Sequence, residues 1–481
     1  MFILKKNNDM YIKYKNINTR ILVAMMIAIG FMSCRSYKDL TKVPQYDAKN
    51  LVRDAVENTN DTTSLANIPW RTYFPDGKLQ TLIAEGLDHG YNMQVAISRI
   101  QQAEAGLYMA KSAFLPTVGA AARIDHTRMS SGSRGTDVFG YASNINTLGL
   151  TASWEADLWG KLNSQAKSKY AVYLNTLEYK RLIQTTLISS IAKSYYSLMA
   201  LDEQLRTTKE TIVLLQKSEE TMQALKDAGQ QNGAAVEQSK ALLYSTQLSV
   251  FDLESKIRQQ ENAICVLIGR TLGNVERASI NDQNIPATMN GNVSVRTLAN
   301  RPDVKQAELS LQSAYALTDA AKAAFYPTLS ISTLSVGFAA GGFSGFFKPA
   351  SLAVEIIGGL TQPIFSKGQL KGNLKITEAQ QKEALLTFTN TMLVAGQEVS
   401  DVLYSYKASV SKNEWRDKQV ESLTKSVDFT QELLKAGEAN YTEVLSAQQN
   451  LLSAQLNKIN DKLEQLTQSV NLYKALGGGV K

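Results

Sequence analysis

Proline is scarce and unevenly placed. The nine prolines fall at 44, 69, 75, 116, 286, 302, 327, 349 and 363, with none between 117 and 285 and none after 363. Residues 161–228 and 438–476 also lack glycine, giving breaker-free runs of 68 and 39 residues. Their Leu, Ala, Gln, Lys and Glu content favours helix. At about 1.5 Å per residue, the longer run makes a helix roughly 100 Å long. A compact globule has no use for that length; coiled coils and helical tubes do. Cysteine is almost absent, with only Cys34 and Cys265. No disulfide framework can be built, so stability must come from packing and assembly. Cys265 lies in the apolar run Ala263-Ile-Cys-Val-Leu-Ile268 and is expected to be a buried helix residue.

Histidine is equally rare. His89 and His126 are the only two, and neither sits in a cluster with metal-ligand spacing. Phosphate loops and nucleophile elbows are also missing, so catalysis and a resident metal or cofactor are not expected. Basic blocks are missing as well. The net charge is +7, but residues 1–33 carry five cationic side chains against Asp9 alone, which leaves about +3 for the rest. Nucleic acid is not an expected partner. A hydrophobic run of transmembrane length, about 20 residues, is lacking too. The longest comparable stretch, Ile21 to Ser33, has 13 residues and follows a basic segment ending at Arg20. It reads as an export signal. Its end, Gly30-Phe-Met-Ser-Cys34, resembles the bacterial lipoprotein signal, although Phe31 stands where leucine is usual. Residues 1–33 are therefore expected to be removed, with Cys34 lipidated as the first residue of the mature chain.

A repeat is what the sequence does have. Lys111-Ser-Ala-Phe-Leu-Pro-Thr117 and Lys322-Ala-Ala-Phe-Tyr-Pro-Thr328 lie 211 positions apart, and each closes an alanine-rich helix pattern. Such self-similarity indicates tandem duplication. Each proline opens a strand-like run. Leu148, Leu150, Ala152 and Trp154 alternate with Gly149, Thr151, Ser153 and Glu155. Leu352, Val354, Ile356 and Leu360 alternate less cleanly with Ala353, Glu355, Ile357 and Gly359. Apolar residues on one face and small or polar ones on the other suit a membrane β-barrel strand. Tyr141 and the aromatics Phe343, Phe346 and Phe347 are expected near the outer interface. In the long run, Leu187, Ile188, Ile191, Tyr195, Leu198, Met199 and Leu205 form an apolar helical stripe that needs partners.

The expected organisation follows. A lipid-anchored segment spans 34–78. The first repeat, 79–285, holds a helix, strands at about 117–127 and 146–157, and helices at 161–228 and 234–270. The second, 298–481, holds a helix, strands at about 328–338 and 351–362, and helices at 366–436 and 441–476. Four strands cannot close a membrane barrel, which needs about eight. Open edges are not tolerated in lipid. Several chains must therefore share one barrel: two would supply eight strands and three would supply twelve. The pattern alone does not choose.

The chain resembles the TolC-like outer membrane efflux proteins, most closely their lipidated OprM/NodT branch. The resemblance is carried by Pro69-Trp70 with Asp76 and Leu79, Trp154-Glu-Ala-Asp-Leu-Trp-Gly-Lys161, Asn300-Arg-Pro-Asp-Val304 with Ala307-Glu308, Thr361-Gln-Pro-Ile-Phe365 with Gly368, and the ending Val470-Asn-Leu-Tyr-Lys-Ala-Leu-Gly-Gly-Gly479. It implies a fold mixing a membrane β-barrel with a long α-helical barrel. It implies a homotrimer with a twelve-stranded barrel in the outer membrane and a twelve-helix tube in the periplasm. It also implies a passive exit duct for small toxic compounds, served by a periplasmic adaptor and an inner-membrane RND pump. A type I secretion duct is the alternative within the family, and a structural coiled-coil envelope lipoprotein is the alternative outside it.

The resemblance further implies a gate where the helix pairs turn. Gly229, ending Leu225-Lys-Asp-Ala-Gly229, and Gly437, ending Leu434-Lys-Ala-Gly437, are candidate tips for adaptor contact. Tyr441, Thr442, Glu443 and Ser446 are gate candidates. Ser446 and Thr442 depart from the branch's usual aspartate and leucine. In a trimer three copies of Glu443 would form an acidic ring that attracts cations.

Overall fold

The computed structural model describes residues 37–38, 40, 51–53, 68–128, 142–283, 295–341 and 345–479. Cys34, the export signal, Tyr141 and Phe343 lie outside the described residues.

Two similar series of elements follow one another. A short turn, α1 (Trp70–Tyr73), and α2 (Gly77–His89) lead into α3 (Tyr91–Ser112), β1 (Thr117–Arg128), β2 (Ala142–Ala156), α4 (Lys161–Asp227) and α5 (Gly233–Ile268). The second series is α6 (Pro302–Ala323), β3 (Thr328–Ala340), β4 (Leu352–Thr361), α7 (Gln369–Lys435) and α8 (Tyr441–Ala475). Helices α4 and α7 each have 67 residues, α3 and α6 each have 22, and α5 and α8 have 36 and 35. Helix α7 begins at Gln369 rather than near 366, because Lys367 and Gly368 both take positive φ and break the helical path.

The elbows where helix gives way to strand are built alike. Phe114 N–H donates to Lys111 O and Leu115 N–H to Ser112 O; in the second series Phe325 N–H donates to Lys322 O and Tyr326 N–H to Ala323 O. Each following proline lacks an N–H, so the helical ladder ends there. The returning strands are tied back to these elbows. Trp154 Nε1 donates to Phe114 O at 2.9 Å, and Gln362 Nε2 donates to Phe325 O at 2.9 Å. Trp159 Nε1 reaches Pro327 O at 2.7 Å while its ring stacks on Tyr326. The Asp157 carboxylate caps α4 by accepting from Leu162 and Asn163 N–H.

The chain forms two compact units, and each draws on both series. One contains Gln101–Asn175 and Glu308–Thr387, including the sheet; the other contains Gln45–Ile100, Thr176–Ala307 and Phe388–Lys481. Duplication has thus not produced one unit per repeat.

In the second unit the apolar stripe of α4 finds its partners. Leu187, Ile188, Ile191, Tyr195, Leu198 and Met199 are buried against Leu79, Ile83, Ile264, Cys265, Ile268, Val470 and Tyr473. Leu205 is only half-buried. The Cys265 thiol is buried and donates to Gly273 O. Polar knots pin the ends of the helices to this core. Asp76 caps α2 and accepts from the Tyr195 hydroxyl at 2.8 Å and from Gln283 Nε2 at 2.9 Å. Arg277 joins Asp202 and Glu261. Its hydrogen bonds to Asp202 hold the guanidinium pKa high. Arg301 donates to Ala475 O and pairs with Asp303 and Glu398. Burial pushes the Tyr73 phenol up to about 12, so it stays a neutral donor to Ser469 O.

The glycine-rich ending is part of the same knot. Gly478 and Gly479 carbonyls accept from Thr185 and Gln184 at 2.7 Å. A methyl group at Gly478 would stand 2.5–2.7 Å from the Tyr473 ring. That ring has little room to move: it is fully buried, stacks on Tyr73 at 4.3 Å, and its hydroxyl donates to Ile68 O. Gly478→Ala is therefore expected to destabilise the fold by about 1–3 kcal/mol through overpacking. The measurement is the melting midpoint of the detergent-solubilised chain. An unchanged midpoint would show the ring can yield.

Candidate functional site

The sheet runs β1-β2-β3-β4, wholly antiparallel, with β1 and β4 as its two edges. Its register sorts the side chains by chemistry. On one face, Ala120 stands opposite Leu150, Leu150 opposite Val336, and Val336 opposite Val354. The rows beside it are Ala122, Leu148, Phe338, Leu352 and Val118, Ala152, Leu334, Ile356. Every member of these three rows is apolar. On the other face, Gly119, Thr151, Ser335 and Glu355 form one row. Because side chains alternate strictly along a strand, slipping one strand by a residue would exchange its faces.

The change of phase in β3, from Leu329 and Ile331 to Leu334, Val336 and Phe338, has a structural cause. The β3–β4 register shifts between Ile331 and Thr333, so Ile357 faces Thr333 and Gly358 faces Ile331. A second shift lies between Ala152 and Trp154. Both shifts mark one bulge, an extra residue in β3 near Ser332, which restores that strand's faces beyond it; β4 pairs without interruption from Leu352 to Thr361, so Ile357 stays on the face of Glu355. Near the strand ends, Glu155 pairs with Lys161 at 2.5 Å and Arg123 with Asp125 at 2.8 Å. Of the expected outer aromatics, Phe346 is buried and Phe347 exposed, and both pack near Phe338. Among the described residues, no helix is long and apolar enough to cross a membrane.

The second feature is the pair of turns that end α4 and α7. Gly229 and Gly437 both take left-handed φ, +72° and +74°. Gln230 N–H returns to Leu225 O at 2.8 Å, and Glu438 N–H returns to Leu433 O at 2.9 Å. This is the Schellman stop, which satisfies the carbonyls left over at a helix end. Three residues on, Asn232 and Asn440 cap α5 and α8 by accepting from Ala235 and Thr442 N–H.

The gate candidates divide at this turn. Tyr441 is 1% exposed, in a cluster with Met222, Ala235, Val236, Leu434 and Val444. Burial raises its phenol pKa; Ser239 eases this without full hydrogen-bond geometry. Thr442, Glu443 and Ser446 are all exposed. Glu443 sits in the first turn of α8, where an acid also favours the positive end of the helix dipole. Gln448 Nε2 adds a bond to Ser218 at 2.7 Å, from α8 to α4. A groove of about 490 Å³ runs past this cluster, lined by Leu215, Leu225, Leu434, Tyr441, Val444 and Gln448 among others. Sequence reasoning misses this apolar hub; Tyr441 and Val444 at i, i+3 spacing, opposite the Met222–Leu225 pair, are the signal that could find it. Further along the same helices, Asp461 of α8 meets Lys412 and Arg416 of α7 at 2.7 Å each. Burial alone would raise that carboxyl's pKa, but the two cations outweigh it and hold the pKa low.

Comparison with known proteins agrees with these features. The family model described as "Outer membrane efflux protein" matches residues 82–270 and 293–478. The Cation efflux system protein CusC of Escherichia coli O157:H7 is 26% identical over 464 residues, covering 95% of this chain and 98% of that protein. The Toluene efflux pump outer membrane protein TtgC of Pseudomonas putida is 28% identical over 428 residues, covering 85% of each. A crystal structure of CusC, reported in connection with folding and transmembrane channel formation, superposes with a TM-score of 0.77 at 26% identity, covering 86% of this chain and 96% of that one.

Proposed function

Because the chain belongs to the outer membrane efflux protein family, we propose that it is the passive exit duct of a tripartite efflux system and acts as a homotrimer. The family is one of outer membrane channels, not enzymes. In this reading, three four-stranded sheets close a twelve-stranded barrel, and the paired long helices form a tube in the periplasm. A periplasmic adaptor and an inner-membrane RND pump deliver small toxic compounds to it. Cys34 carries the lipid that anchors the chain, and no other cofactor is needed.

The two-faced sheet with two open edges carries this reading. An apolar face fits lipid, a small and polar face fits a water-filled lumen, and unpaired edges must be closed by neighbouring copies. Apolar side chains left uncovered in one chain agree: Ile364 is 97% exposed and Phe365 85%. Either lipid or a second copy would cover them.

The tips supply the seal. Gly229 and Gly437 mark the turns that would meet the adaptor, and the groove beside them is its docking surface. Thr442, Glu443 and Ser446 are the residues that would narrow the passage. Tyr441 acts behind them, holding the second helix pair against the first. The test is to purify the full chain from outer membranes and measure it in planar bilayers. Discrete conductance from a heat-modifiable trimer is the expected result. A monomer without conductance would favour a tethering lipoprotein instead.

A further inference from the structure

The polar face of the sheet carries few charges, and most are already neutralised. Arg123 and Asp125 pair with each other at 2.8 Å, two positions apart on β1. Glu155 pairs with Lys161, the first residue of α4, at 2.5 Å. Glu355 differs. It is exposed on β4, opposite Ser335, in the row that continues through Thr151 to Gly119. None of those three neighbours can supply a positive charge. Among the described side chains on this face, Glu355 is the charged group that has no ion-pair partner.

We propose that Glu355 gives the membrane part of the pore a preference for small cations over anions. This rests on the duct reading, because it needs the polar face to line a closed lumen. Each copy then adds one uncompensated carboxylate at the same level of the wall. The inference does not depend on how one copy's β4 meets the next copy's β1. Identical copies bring identical sums, and the Arg123–Asp125 and Glu155–Lys161 pairs contribute no net charge wherever the seam falls. Flexible carboxylates at a wet wall neither bind an ion tightly nor block its exit. They raise the local concentration of counter-ions and exclude co-ions. Such selectivity must depend on salt. The Debye length is roughly 30 Å at about 0.01 M, enough to reach across a lumen, and roughly 3 Å at about 1 M, where the field stays at the wall.

The experiment measures reversal potentials across a KCl gradient in planar bilayers, using the full chain. In dilute salt the wild type is expected to prefer potassium over chloride several-fold, and the preference should fade in concentrated salt. Glu355→Gln, nearly isosteric and at an exposed site, should lower the ratio at least two-fold without changing trimer yield, and the part that remains is the share of the Glu443 ring at the tip. Removing the internal pair, with Arg123→Gln and Asp125→Asn together, should leave the ratio as in the wild type. Glu355→Cys guards against a packing explanation. Cys265 is buried and in the duct reading the Cys34 sulfur carries lipid, so the new thiol is the one open to reagents; an anionic thiol reagent should restore the preference and a cationic one should lower it further. A conducting Glu355→Gln channel with unchanged selectivity overturns this inference alone. A non-conducting wild type overturns the duct reading and the inference with it.

Discussion

Leu150→Arg is expected to abolish assembly in the outer membrane, while Thr151→Arg, one residue along, is expected to be tolerated. The two positions are neighbours in sequence and opposites in chemistry. Leu150 lies in the middle apolar row, flanked across the sheet by Ala120 and Val336. Thr151 lies in the row of Gly119, Ser335 and Glu355. An arginine on the lipid face at the bilayer midplane costs about 2–4 kcal/mol. In the proposed trimer three copies would triple that to roughly 6–12 kcal/mol per barrel, comparable to the whole stability of an ordinary domain of about 5–15 kcal/mol. An arginine on the other face keeps its water. The readout is the heat-modifiable trimer in outer membrane fractions. Equal trimer yield from both variants would mean that the apolar rows do not face lipid.

Tyr441→Ala should produce a leaking channel. The side chain fills the centre of the hub formed by Met222, Val236, Leu434 and Val444. Truncating a buried aromatic typically costs about 3–5 kcal/mol. Here the loss falls on the contact between the start of α8 and the α4–α5 turn, not on the main core around Tyr195. The long helices should persist, and the second turn should lose its seat. Cells carrying the variant are expected to become sensitive to large antibiotics that the outer membrane normally excludes, and single-channel conductance should rise. Tyr441→Phe keeps the ring and should behave like the wild type, since the hydroxyl lacks a full hydrogen bond. If Tyr441→Ala changes neither antibiotic sensitivity nor conductance while folding normally, the hub is not what holds the tip closed.

Much of the architecture can be read from the chain, for identifiable reasons. Pro116 and Pro327 end helices by removing a donor, so the elbows stand where the sequence puts them. The faces of β2 are legible because alternation is a direct consequence of strand geometry. Local information fails where the answer lies in a partner element. Tyr441 stands in sequence beside Thr442 and Glu443 as a gate candidate, yet its ring is buried by side chains more than 200 positions away in α4 and α5. Within α8 the Tyr441–Val444 spacing marks an apolar face, but not the partners that cover it. The imperfect alternation of β4 is visible, yet that strand pairs without a break; the irregularity lies in β3, whose change of phase near Ser332 depends on its pairing with both neighbours. The family motifs likewise look chemical in sequence and turn out mechanical. Asp76, Arg301 and Gly478 clamp helix ends to the core.

The left-handed glycines have one more consequence. Gly160 and Gly229 bracket α4, and Gly368 and Gly437 bracket α7, all at positive φ and each pair 69 positions apart. The two longest helices are thus cut to one gauge, with hard stops at both ends. Removing a residue from either would shorten it by about 1.5 Å and turn everything beyond by about 100°. The hub face of that helix would swing away while its twin kept its place. Length drift in one repeat therefore cannot be absorbed by the other, and the duplicated halves are bound to change length together or not at all.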